Sequence, residues 1–235
     1  VELGAADRGT LLHGVMEAFA RAWPDTLPAD VPAEVLRTGR RVFSDLWHEP
    51  EVQGFWWPRF VRLVPAISAW EVARRQNAER VGAEFRIESR LLLADGGHVS
   101  LSARADRIEA LSGGALAIID FKSGAVPTPK QIKAALAPQL LLEAALAPLA
   151  PFVPGDPARA EAGFGPAVLA TAAYVALKPD KDGLKQVPVV ADAELAGRAA
   201  EHLNGFKRMV VGFRSGERPF TSRFAKSPAR DPSPP

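Results

Sequence analysis

Asp120 and Lys122 stand two residues apart in the run ALAIIDFKSG, a spacing that in an extended strand sends both side chains out of one face. Asp106 lies in the preceding run, HVSLSARADRIEAL, separated from it by Ser112-Gly113-Gly114. A tight antiparallel turn there brings its carboxylate near that of Asp120. Two carboxylates at such range repel by about 1 to 4 kcal/mol at surface-like dielectric, and a divalent cation turns that repulsion into binding. Mg²⁺ takes a few carboxylate oxygens and leaves its other positions to water and phosphate; Mn²⁺ accepts a similar oxygen-rich set. The chemistry that uses such a set is phosphodiester hydrolysis, in which the metal lowers the pKa of a bound water and offsets charge on phosphorus. Lys122 would stabilise that charge or help deprotonate the water. His13 offers a further ligand through a neutral imidazole nitrogen, and Gln139 is placed to hold the lysine or the phosphate backbone.

An acidic residue two before a lysine arises about once by chance in a chain with 27 acidic residues, so the pair alone carries no weight. The context carries it: a strand position, a glycine turn, a second carboxylate on the neighbouring strand and a polar helix start afterwards. Each residue also has a plainer reading. Asp120 and Lys122 could be a surface ion pair, and His13 a helix-face histidine bonded to Glu17. Asp106, between Arg104 and Arg107, could belong to a solvated charge run, and Gln139 could be an ordinary helix-start residue. Glu84 and Glu88 share one parity on the first strand and read as exposed, with a supporting position behind the site ligands as the alternative.

The elements that must position these residues follow from periodicity. Leu12, Val15, Phe19 and Ala22 predict a helix over about 8–22, and Val35, Leu36, Val42, Phe43 and Leu46 a second. A third spans about 58–80, where Pro65 is expected to kink or interrupt it. Near Glu84 the period becomes extended, and Gly96-Gly97 and Ser112-Gly113-Gly114 mark the corners of a three-strand meander. Its last strand, Leu116 to Phe121, is apolar almost throughout and is expected inside a covered sheet. A helix from about Pro138, a Pro/Gly/Ala-rich loop over 150–167, a strand over Leu169–Leu177 and a helix over about 192–213 complete the series. The proline-rich ending SPARDPSPP, residues 227–235, is expected to be disordered.

Bulk composition excludes several classes. The 235 residues are 47% hydrophobic with a net charge of +2, unlike a disordered chain. No cysteine is present, which removes disulfides, thiolate metal sites and cysteine nucleophiles and is compatible with a cytoplasmic location. No apolar run reaches the roughly 18 residues of a membrane span. The beginning, VELGAADRG, has neither an initiator Met nor signal-peptide character and reads as a piece of a longer protein. Basic charge gathers at Lys207, Arg208, Arg214, Arg218, Arg223, Lys226 and Arg230, either a solvated end or a strip facing an anionic partner.

As an ordered set, RGTLLHGVMEAF, LSARADRIE, IIDFKSG and QLLLEAAL resemble the His, Asp, Asp-x-Lys and Gln motifs of the RecB-like branch of the PD-(D/E)XK nuclease superfamily. The stretch WWPRFVRLVPAISAWEVARRQ, with AYVALKPD and the ending RPFTSR, is most similar to the nuclease regions of AddB-type subunits of bacterial helicase–nucleases. The resemblance covers roughly residues 8–226. It implies one α/β domain over residues 1–226 with a restriction-endonuclease-like core: a helical section over 1–80, then a mixed central sheet with flanking helices over 81–226. It further implies His13, Asp106 and Asp120 as metal ligands, Lys122 as the catalytic lysine and Gln139 as the glutamine of the motif that follows. The implied activity is Mg²⁺-dependent DNA cleavage (Mn²⁺ substituting), by an exonuclease acting on single-stranded ends beside a helicase partner in double-strand-break repair and recombination. Two departures stand out. Glu143 occupies a position where this family often has tyrosine, and the four-cysteine iron–sulfur cluster of many relatives is absent. A non-cleaving DNA-binding or scaffold module on the same fold is the alternative; the intact Asp-x-Lys argues against it and Glu143 argues for some drift.

Overall fold

The computed structural model describes residues 4–134, 136–181 and 183–218. The expected tail at 227–235 and the basic residues Arg223, Lys226 and Arg230 lie outside the described residues.

Three helices come first: α1 (Ala5–Ala22), α2 (Val31–Val42) and α3 (Trp57–Arg75), the last preceded by a π-helical segment, Val52–Trp56. Asp30 caps α2 by accepting from the Ala33 N–H, and Pro32 sits in its first turn, where a missing N–H costs nothing. Pro65 lies inside α3, which continues past it without interruption. Pro65 and Val61, whose carbonyl the proline leaves without a donor, are both on the exposed side of the helix, where that oxygen is open to solvent. Gly39 lets α2 cross α3 closely, since a Cβ there would lie 2.1 Å from the Phe60 ring.

The meander follows as β1 (Ala78–Leu92), β2 (His98–Leu111) and β3 (Leu116–Lys122), with positive φ at the turn glycines Gly96, Gly113 and Gly114. The first strand begins earlier than its periodicity predicts, at Ala78. A short helix α4 (Pro129–Lys133), started by a Thr128–Gln131 capping box, leads to α5 (Gln139–Leu146). The Pro/Gly-rich excursion contributes a two-residue strand β4 (Val153–Pro154) against β1; β5 (Leu169–Asp180), β6 (Gly183–Pro188) and α6 (Leu195–Arg214) end the series. The short strands β4 and β6 are additions to the predicted elements.

The sheet order is β4-β1-β2-β3-β5-β6, with β3 and β5 parallel and the other pairs antiparallel, so β3 runs through the interior as its apolar run requires. Helices cover both faces. Ile108, Ile118 and Tyr174 pack with Leu140, Leu141 and Leu195 from α5 and α6. Ile119, Phe121 and Val175 pack with Val15, Phe60 and Ile67 from α1 and α3. This mixed sheet between helical layers, after an N-terminal helical region, is a restriction-endonuclease-like fold. Among the described residues no helix is long and apolar enough to cross a membrane.

Candidate active site

The β2–β3 ladder pairs Arg107 with Ile119 and Ile108 with Ile118, so one further step would set Asp106 opposite Asp120. The ladder stops there. Instead of a strand carbonyl, the Phe121 N–H donates to Asp106 Oδ2 at 2.9 Å. The β2–β3 pairing therefore ends with a carboxylate on each strand, Asp106 within β2 and Asp120 near the end of β3, while Asp120 pairs on its other side with Tyr174 of β5. By alternation Asp120 and Lys122 share the Ile118 face, toward α5.

Lys122 Nζ lies 2.5 Å from Asp120 Oδ2 and 5.5 Å from the centre of the Tyr174 ring. The Asp120 side chain is 4% exposed and that of Lys122 32%, so the pair is no solvated surface bridge. His13 reaches around from α1: its Nδ1 stands 3.4 Å from Asp106 Oδ2, and its ring meets Phe121 edge-on at 6.2 Å. The alternative partner, Glu17, is taken up by Arg21. Gln139 donates from Nε2 to Glu143 Oε1 at 3.1 Å, one turn further on; its amide is engaged there and not with Lys122. All five predicted residues border one region, His13, Asp106, Asp120 and Lys122 directly and Gln139 through Glu143.

The electrostatics reflect crowded carboxylates. Burial, then the like charge of Asp120, pushes the Asp106 carboxyl up to about 6 against the lowering pull of the Phe121 N–H. Glu143 is fully buried, and burial pushes it up to about 8, with Asp120 and Asp106 adding to the rise and Gln139 opposing it. Tyr174 goes up to about 12 through burial and the charges of Asp120 and Glu143. Burial lowers His13, which favours the neutral imidazole that can ligate a metal.

Two residues enlarge the predicted set. Glu143 is one; its spacing from Leu140 and Ala144 placed it on the inward face of α5, a signal available in the sequence. Glu84 is the other, and the reading of it as exposed is corrected. Its side chain is 17% exposed and pairs with Arg104 at 2.8 Å, and its carboxyl is raised by burial and by Asp106. Ala83↔Arg107 and Phe85↔Ala105 bracket it, opposite Asp106, but Glu84 drops out of the ladder at φ 60°. Gly155 seals this bulge: its N–H donates to the Glu84 carbonyl at 3.0 Å, and a Cβ would lie 2.4 Å from that oxygen. Strand parity cannot reveal such a turn. Glu88 meets Arg86 on the exposed surface, as expected.

A cleft of about 660 Å³ opens beside Asp106, between His13, Glu84, Arg104 and Ser123. Among the described residues no three acidic or imidazole side chains converge as a finished ligand group; His13 stands beside Asp106, and Lys122 lies on Asp120. The donor set nevertheless fits a hard cation. Glu143 Oε2 is buried without a hydrogen bond and Asp120 Oδ2 is buried with only the Lys122 ammonium against it, and an ion would satisfy such oxygens.

Comparison with known proteins gives relatives and a family. An uncharacterised protein of Rickettsia bellii is 27% identical over 138 residues, 59% of this chain and 16% of the relative. One of Rickettsia typhi is 25% identical over 142 residues, again 59% of this chain and 16% of the relative. The chain thus spans about one sixth of the length of these relatives. The crystal structure of SSO0001 aligns over 80% of this chain and 73% of its own at 13% identity, with a TM-score of 0.30. The profile of the PD-(D/E)XK nuclease superfamily matches residues 1–222, which takes in both the helix that carries His13 and the strands that carry Asp106, Asp120 and Lys122, and the chain belongs to that superfamily.

Proposed function

We propose that this chain is a RecB-like nuclease domain, spanning residues 1–226, that hydrolyses DNA phosphodiester bonds with Mg²⁺, Mn²⁺ substituting. The observation that carries the reading is the pair of carboxylates, Asp106 and Asp120, where the pairing of β2 with β3 stops, with Lys122 on the same face as Asp120. Asp106, Asp120 and His13 would hold the ion, with Glu143 and Glu84 adding negative charge around it. When bound, the ion supplies a water of lowered pKa and neutralises charge on the phosphate. The chain's own residues do the rest. Asp120 holds Lys122 through their ion pair, and the Lys122 ammonium would stabilise the extra negative charge on phosphorus. The Phe121 N–H fixes the Asp106 carboxylate, and Gln139 fixes Glu143.

The substrate would be single-stranded DNA ends, degraded exonucleolytically, and the partner a helicase subunit of an AddB-type repair and recombination machine in the cytoplasm. The test is cleavage of labelled single-stranded DNA by the chain with Mg²⁺ or Mn²⁺, alone and with such a helicase. Wild type should cut, and Asp120→Ala or Lys122→Ala should lose at least about 10²-fold in rate. Intact substrate with wild type under every condition, together with retained DNA binding, would instead identify a non-cleaving scaffold.

A further inference from the structure

A second cavity, of about 290 Å³, borders Ser123, the same residue that lines the cleft beside Asp106. Its floor is apolar, with Leu12, Phe43, Phe60 and Leu63 buried beneath it. Its rim carries Arg8, Arg59, Arg62 and Lys178, and no acidic residue lines it. Among the described residues, none of these four cations makes an ion pair or a side-chain hydrogen bond. The arginines of the first cleft differ: Arg21 pairs with Glu17, Arg104 with Glu84, and Arg159 with Asp156. Four unneutralised charges around one pocket repel each other, an arrangement that an anion relieves. The π-helical turn Val52–Trp56 brings Trp56 into this wall, and such turns concentrate at functional sites.

We infer that this cavity is a single-strand subsite that seats the nucleotide next to the phosphodiester at Asp120 and Lys122, its base on the apolar floor and its flanking phosphates on the four cations. The occupant is single-stranded because only an unpaired base presents its ring face to such a floor, and a cationic rim over aromatic side chains binds strands with little sequence preference. Ser123 follows Lys122 directly and lines both cavities, so a strand passing over it connects cleft and pocket. The inference rests on the nuclease reading for the identity of the neighbouring bond.

The test uses the whole chain and fluorescein-labelled oligothymidylate in EDTA, with anisotropy read across a salt series. Arg59 and Arg62 are exposed, so the double reversal R59E/R62E should keep the wild-type unfolding midpoint. It should weaken binding at least tenfold and reduce the slope of log K against log salt by about 1.4, two contacts at roughly 0.7 each. The pair K207E/R208E, on α6 across the sheet, should change binding less than twofold. An abasic oligonucleotide of equal length should bind wild type at least fivefold more weakly with an unchanged slope. Wild-type binding by R59E/R62E, a loss confined to K207E/R208E, or equal affinity for the abasic strand would each overturn the inference. A parallel Mn²⁺ cleavage assay separates the two readings. If wild type cuts and R59E/R62E binds and cuts as well, only this inference fails. If nothing cuts while the binding loss stays at Arg59 and Arg62, the nuclease reading fails and the strand pocket stands.

Discussion

Replacing Glu143 with glutamine should flatten the dependence of stability on pH. The carboxyl is fully buried beneath Asp120 and Asp106 and is pushed from 4.5 up to about 8. The folded chain therefore holds a proton that the unfolded chain releases above about 4.5. Stability is full below that value and is lost as pH rises toward 8. Between pH 5 and pH 7 the loss from this group is about 2.5 kcal/mol, at roughly 1.4 kcal/mol per pH unit once the unfolded form is ionised. For a chain of this length that is about 5 to 10 °C in the unfolding midpoint. The E143Q side chain cannot ionise and can still bond to Gln139. Asp106, pushed up to about 6, contributes in the same direction in both proteins and cancels in the comparison. Thermal unfolding in EDTA at pH 5, 6, 7 and 8 measures the difference. Wild type should lose about 5 to 10 °C more than E143Q between pH 5 and 7; parallel curves would refute the burial argument.

The ionised site should also be the metal-binding form: Mg²⁺ raises the wild-type midpoint more at pH 8 than at pH 6, and an equal rise at both would count against carboxylate ligation. Arg107→Met leaves Glu71 and Glu109 buried without their main partner, so it should cost about 3 to 5 kcal/mol by urea unfolding, and a cost below about 1 would show the network to be energetically idle. Gly39→Ala drives a methyl into the Phe60 ring and should cost about 1 to 3 kcal/mol in the same assay; a neutral result would mean that α2 and α3 part freely. Glu84→Gly should recover about 1 kcal/mol of backbone strain while slowing cleavage at least tenfold, and destabilisation by this change would contradict the strained bulge.

Much of this was legible because it depends on local period. The apolar run of Leu116–Phe121 announced an interior strand, the two glycine corners announced its neighbours, and those neighbours brought Asp106 toward Asp120. What escaped notice depends on partners distant in sequence. Glu84 has ordinary strand parity, and only Gly155, supplied by the long excursion, permits the turn that carries its carboxylate into the site. Pro65 reads as a helix breaker because its effect on solvated carbonyls depends on which side of α3 it occupies. The short helix α4 had a readable Thr128-Pro129-x-Gln131 start that periodicity alone passes over. Glu143 stood out as a departure from a family pattern, yet its burial followed from neighbours at helical spacing.

Arg107, one residue beyond Asp106, points through the opposite face of β2. There it forks onto both Glu71 oxygens at 2.6 and 3.0 Å, meets Glu109 at 2.7 Å and lies over Trp70. A slip of β2 by a single residue would carry the guanidinium under α5 and turn Asp106 toward α3, leaving the buried Glu71 with only the more distant Arg75, at 3.6 Å, on its own helix. Misregistered forms of the hairpin are therefore penalised by buried charges that lose their two-oxygen partner. The ion network beneath the sheet thereby proofreads the alignment on which the carboxylates above it depend.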